Sequence, residues 1–126
     1  MNSELTIYNL MGYPIAYIAV YENFNIYMWN GSPAAYLYAG EYIYGFNGEH
    51  IGWFDKGVVY DCQGKYVGSL IDNLQSIAQI TPLKSIKKIT PMKNLRNIPK
   101  IKPIFSTFKR GNPNSLEDML LRGIKA

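Results

Sequence analysis

The feature that most constrains this chain is a twelve-residue unit that occurs four times, beginning at Ile7, Ile26, Ile43 and Val59. Aligned without gaps, the copies place Tyr8, Tyr27, Tyr44 and Tyr60 in the second column and Gly12, Gly31, Gly48 and Gly64 in the sixth. The tenth column holds only the small residues Ala16, Ala35, Gly52 and Gly68. Internal repetition of this kind specifies architecture before activity.

Columns five and six read Met11-Gly12, Asn30-Gly31, Asn47-Gly48 and Gln63-Gly64, each between short runs rich in Tyr, Ile, Val, Phe and Trp. Asn-Gly between such runs signals a β-hairpin, and the glycine column supplies an unstrained positive φ in every copy. A two-residue type I′ loop would set column one opposite column ten and column two opposite column nine. Both faces are then apolar at the open end of each hairpin, and a lone hairpin is marginal in water, so the four are expected to bury those ends against one another. The links between copies, Ala19 to Asn25, Tyr38 to Tyr42 and Asp55 to Val58, are too short for a crossover helix. The expected fold is therefore mainly β: an up-and-down antiparallel meander of about eight strands with a pseudo-four-fold axis, as a flower or small barrel.

The unit hydrophobic-Tyr-x-x-x-Gly-x-x-hydrophobic-Gly/Ala-aromatic-hydrophobic resembles that of the four-fold β-flower family of small bacterial proteins. The likeness covers residues 7 to 70, and the end of the chain is similar too, a proline-bearing segment followed by a short terminal one. The resemblance implies the flower fold and a family of uncharacterised activity, and brings no catalytic residues with it. The fourth copy departs from it at Ser69, where the others have Tyr17, Tyr36 and Trp53; a piece of the later chain is expected to pack there.

The chain divides into the repeats (1 to 70), a basic proline-punctuated tail (71 to 113), expected to pack on the repeats or on a neighbour, and a terminal segment (114 to 126). Residues 1 to 70 hold two basic and six acidic side chains, a net −4, whereas residues 71 to 126 hold eleven basic and three acidic, a net +8. Helical spacing of Ile71, Leu74, Ile77 and Ala78 predicts one short helix ending before Pro82. Pro82, Pro91, Pro99 and Pro103 then forbid a long helix, although a turn or two fits at 84 to 88 and 93 to 97. A second repeat runs Ile80-Thr81-Pro82-Leu83-Lys84, then Ile89-Thr90-Pro91-Met92-Lys93 nine residues later. Near the end, Ser115 with Asp118 resembles a capping box and Gly123 stands at a C-cap position, predicting a two-turn helix that docks through Leu116, Met119 and Leu120.

Candidate chemistry is sparse. His50 and Cys62 are the only nucleophile-and-base pair, but the repeat explains both as column members and nothing supplies an orienting third group. One histidine cannot form a histidine-cluster metal site and one cysteine cannot close an intrachain disulfide, so no catalytic residue, metal or cofactor is expected. Tyr8, Tyr27, Tyr44 and Tyr60 offer a ring of phenols for stacking a sugar or cation, yet cross-strand packing is their ordinary use. Lys84, Lys87, Lys88, Lys93, Arg96, Lys100 and Lys102 are the candidate binding residues, for nucleic acid or a membrane surface. Against that, the apolar residues from Ile80 to Ile98 recur every third position, which favours docking of their face on the flower with the lysines turned to solvent and towards the acidic repeats. The leading expectation is a non-enzymatic structural or protein-interaction module, self-associating or binding a protein. A binder of anionic partners and a sugar or small-ligand module are the alternatives. Without a basic n-region or a long apolar run, a cytoplasmic protein is the default.

Overall fold

The computed structural model describes residues 3 to 124. Eight strands follow the repeats: β1 (Glu4–Asn9), β2 (Pro14–Ala19), β3 (Asn25–Met28), β4 (Pro33–Tyr38), β5 (Tyr42–Gly45), β6 (His50–Asp55), β7 (Val58–Asp61) and β8 (Lys65–Ser69). Each pairs antiparallel with the next, and β8 returns to β1 through Tyr8 opposite Ser69 and Asn9 opposite Gly68. Closure over these two pairs covers the end of β8 and leaves its Lys65–Tyr66 edge to another strand. A ninth strand, β9 (Ser106–Arg110), which the repeat did not announce, adds to β8 in parallel.

The hairpin loops differ from expectation in length. Column one does face column ten, as in Ile7 opposite Ala16 and Ile43 opposite Gly52, but a bulge follows and column two faces column eight, as in Tyr44 opposite His50. The loop has three residues, since the Gly48 N–H donates to the Gly45 carbonyl at 3.0 Å and the Gly45 N–H to the Glu49 carbonyl at 2.9 Å. Only the column-six glycine takes positive φ, 84° to 90° across the four copies, as in a type I turn closed by a G1 bulge. Column five therefore needs no left-handed residue, which is why Met11 and Gln63 are tolerated. An Asx side chain holds each loop. Asn30 and Asn47 accept from backbone N–H groups two residues on, and where column five lacks Asn, Asn9 and Asp61 do so from column three. Paired positive φ values occur instead in the links, at Asn23-Phe24, Ala39-Gly40 and Lys56-Gly57.

Inside the barrel, column one and the small tenth column line a core with column nine. The bulge brings column nine inward, away from the tyrosine face where a two-residue loop would have put it. The remaining volume is filled by α1 (Ser115–Leu121), whose Leu116, Met119 and Leu120 are buried in the same cluster. The small column makes room for this helix: a Cβ at Gly52 would stand 2.7 Å from Met119 Sδ, and one at Gly68 would stand 2.9 Å from Leu116. Asn114 occupies the N-cap without a side-chain cap bond, because Ser115 Oγ accepts from the Asn112 N–H instead of closing a capping box. Past Ser69 the predicted helix is reduced to a 3-10 turn at Ile71–Asn73, and no helix forms before α1. At the fourth copy, Ser69 is buried and the Tyr66 hydroxyl reaches both Ser69 Oγ and the Asn73 carbonyl, so the start of the tail packs where an aromatic ring is missing.

Candidate functional site: the tail ring

Because the strands alternate in direction, all four hairpin loops lie at one end of the barrel. The tail runs around that end, meeting the loops in turn at intervals of nine residues. The backbone N–H groups of Gln79, Lys88, Asn97 and Ser106 donate to the carbonyls of Gly12, Gly31, Gly48 and Gly64 at 2.9 to 3.1 Å. Between these anchors Ser85 N–H donates to Trp29 and Asn94 N–H to Phe46. The weak proline repeat seen in the sequence is thus in step with the stronger one: one nine-residue segment spans the distance from each hairpin loop to the next.

The side chains of the ring face opposite ways, and the direction reverses the expectation from spacing. Every third residue from Ile77 to Ile104 projects into solvent, 84 to 97% exposed, instead of lying on the barrel. Lys84, Lys87, Lys93 and Arg96 turn inward. Across neighbouring hairpins column eleven faces column two, which builds aromatic clusters on the outside of the barrel: Tyr17 stacks on Tyr27 at 5.6 Å and Tyr36 on Tyr44 at 6.1 Å. Lys84 Nζ lies 4.4 Å over the Tyr17 ring and Lys93 Nζ 4.1 Å over the Tyr36 ring, and the Arg96 guanidinium lies 3.8 Å over Tyr38. In the last segment Phe105 takes the place of a cation and stacks on Tyr60 at 4.4 Å. The physical reason is that an aliphatic side chain cannot satisfy a rim of phenols and carboxylates, whereas a lysine stem covers the rings and its ammonium reaches the acids beyond.

Those acids belong to the barrel. Lys84 pairs with Glu4, Lys87 with Glu22 at 2.7 Å and Lys102 with Glu41 at 3.1 Å, so the basic tail meets the acidic repeats directly. Glu22 also accepts from the Tyr27 hydroxyl, which contacts Thr90 Oγ1 at 2.8 Å. The hydrogen bond from Lys87 and that from Tyr27 hold the Glu22 carboxyl below its ordinary 4.5. Of the seven predicted binding residues, Lys84, Lys87, Lys93, Arg96 and Lys102 are thus engaged with the barrel or with Phe105. Lys88 reaches Ser32 Oγ at 3.3 Å, and Lys100 lines a cleft of about 560 Å3 beside Asp61, Cys62 and Arg122. Of the tyrosine column, Tyr27, Tyr44 and Tyr60 are buried in the outer clusters and Tyr8 is half-buried.

His50 and Cys62 do not combine. The His50 ring is 1% exposed, with Nδ1 accepting from the Lys100 N–H at 2.9 Å and Nε2 placed 2.8 Å from the Gly52 carbonyl, to which it donates. Cys62 Sγ donates to the His50 backbone carbonyl instead of meeting the imidazole. Burial pushes the Cys62 thiol up and the His50 imidazole down, so the one is protonated and the other neutral near pH 7. His50 thus serves as a tail anchor that sequence reasoning missed; the signal available was only its place two columns after a loop glycine. Among the described residues no group of three or more His, Cys, Asp or Glu is placed to hold a metal, and no helix is long and apolar enough to cross a membrane.

Both anchors weaken in acid. His50, lowered from 6.5, contributes stability that is present above 6.5 and lost as pH falls through its native value. Glu22, lowered from 4.5, contributes stability present above 4.5 and lost below it. The Glu22 pair is partly exposed, so its share is about 0.2–1 kcal/mol. Denaturant titrations from pH 7 downward should show stability falling first on the His50 step, with Glu22→Gln reducing only the later step, which Glu4, also held below 4.5, shares. Equal loss of both steps in that variant would contradict the assignment.

The family model described as 4-fold beta flower protein matches residues 5–110, a span that takes in the barrel, the ring and β9. No curated protein and no solved structure gives a significant match.

Proposed function

The chain belongs to the 4-fold beta flower family, whose name describes a fold, and from the ring's geometry we propose that it is a non-enzymatic interaction module that docks through the tail. The four hairpins, with their common register, serve as a scaffold of pseudo-four-fold symmetry on which the ring is laid out. One observation carries this reading: a backbone anchored at every hairpin loop holds ten large apolar side chains, from Ile77 to Ile104, out in solvent. Singly exposed aliphatic residues are ordinary, but here ten recur at every third position of one anchored segment. At the transfer energies of buried aliphatic side chains they amount to roughly 600–1,200 Å2 of apolar surface, spread along the tail in separate side chains that covering would take out of water. A disordered arm would have no reason to fix such a stripe, and a stripe needed only for folding would face inward.

Stacking of a sugar on the tyrosines is not favoured, because the tail already covers those rings with its own cations. The test is site-specific photo-crosslinking in cells, with the photoreactive residue at position 80 or 98 of the ring or, as control, at position 24. Phe24 is exposed too, but lies in the β2–β3 link at the opposite end of the barrel. Adducts of any kind from the ring positions and not from position 24 are expected; ring positions that yield no more than the control would overturn the proposal.

A further inference from the structure

The composition of the ring says what should cover it, an inference that rests on reading the ring as an interface. Between Asn73 and Leu116 the chain has nine Lys or Arg and no Asp or Glu. Three of the nine are neutralised by barrel glutamates, and Lys93 and Arg96 lie on tyrosine rings. Lys88, Lys100, Lys109 and Arg110 are exposed and enter no ion pair among the described residues. The outward aliphatic stripe is therefore accompanied by cations and by no anion of its own segment. Its partner has to be apolar where the stripe touches and negatively charged beside it.

We propose that the ring docks on an anionic lipid bilayer, with the aliphatic side chains entering the boundary between headgroups and acyl chains and the exposed cations meeting headgroup phosphates and carboxylates. Three competing occupants fit less well. A second copy would bring two acid-free tails together, and their exposed cations would repel. A protein groove is usually gripped by Trp, Tyr or Arg anchors; the stripe from Ile77 to Ile104 carries none of these, and Arg96 points inward. Nucleic acid would satisfy the cations but leave the stripe in water. A bilayer needs no groove cut for each side chain, and it accepts separate aliphatic side chains from the arc of the circuit that faces it.

The experiment is flotation of the full chain with vesicles of phosphatidylcholine alone or mixed with phosphatidylserine, at low and high salt. The same samples without vesicles are run by sedimentation velocity. The variants are I80S/I89S/I98S and K88Q/K100Q/K109Q. Flotation with phosphatidylserine vesicles only, weakened by salt, is expected. The serine variant should lose affinity on the order of 100-fold and the glutamine variant about 10-fold or more, with thermal unfolding unchanged, because Ile80, Ile89 and Ile98 are at least 91% exposed. No flotation with phosphatidylserine vesicles, or flotation that the serine variant retains, would overturn the proposal. A dimer abolished by the serine variant, without flotation, would assign the ring to a second copy and refute the lipid. If flotation fails while ring-specific photo-adducts form, the interface stands and its lipid partner falls; if both fail, so does the interface.

Discussion

Leu120→Ala is expected to cost about 2–5 kcal/mol in unfolding free energy, a large part of what a domain of this size has to spare. Leu120 has no solvent exposure and belongs to the same cluster as Ile7, Ile26, Ile43 and Val59 from the four hairpins. The helix that carries it is only seven residues long, too short to persist alone, so its order and the filling of the barrel depend on each other. Termination after Asn114 removes Leu116, Met119 and Leu120 together and is expected to abolish cooperative folding. The small residues facing the helix, Gly52 and Gly68, cannot close the void because they have no side chains with which to do so. Urea titrations of Leu120→Ala and of Leu121→Ala separate this from a generic helix effect: Leu121 is 51% exposed and its truncation should cost little. Equal losses at the two positions would remove the helix from the core.

The different fates of these features show what one sequence makes legible. Strand positions, loop glycines, antiparallel order and the terminal helix all follow from local patterns, and all were readable. The three-residue loop was not, because Asn-Gly suits both a type I′ turn and a G1-bulged loop; the loop is held by Asx bonds that come from column five at Asn30 and Asn47 but from column three at Asn9 and Asp61. Nor was the role of the small tenth column, whose Gly52 and Gly68 admit Met119 and Leu116, which lie 67 and 48 residues later in the chain. The largest reversal is the orientation of the tail. A threefold apolar spacing is the mark of a face, but spacing alone cannot say which way the face looks. The answer came from the barrel: its outside is aromatic and acidic, through Tyr17, Tyr36, Glu4 and Glu22, and such a surface attracts lysine more than isoleucine. Most of the candidate cations, singled out for an anionic partner, lie against groups of their own chain.

The glycine column joins the two repeats, and Gly48→Ala is expected to separate them. At φ 90° an added Cβ costs roughly 1–2 kcal/mol of backbone strain, and here it would also overlap the Leu95 carbonyl oxygen of the tail. The tail must move, which breaks the 2.9 Å bond from the Asn97 N–H to the Gly48 carbonyl and disturbs the Tyr44 hydroxyl on the Asn97 carbonyl. Gly40 supplies the control, since its φ is 74° but a Cβ there meets nothing within 4 Å. Gly40→Ala should therefore show the strain alone, and Gly48→Ala the strain plus the lost contact. Limited trypsin digestion distinguishes them further, because Lys93 and Arg96 flank the displaced segment. The native chain and Gly40→Ala should resist cleavage there, whereas Gly48→Ala should be cut early. If Gly40→Ala and Gly48→Ala proved equally stable and equally resistant, the carbonyl contacts would not hold the tail. The ring would then owe its position to the lysine and tyrosine contacts, and Lys93→Ala would become the change that frees it.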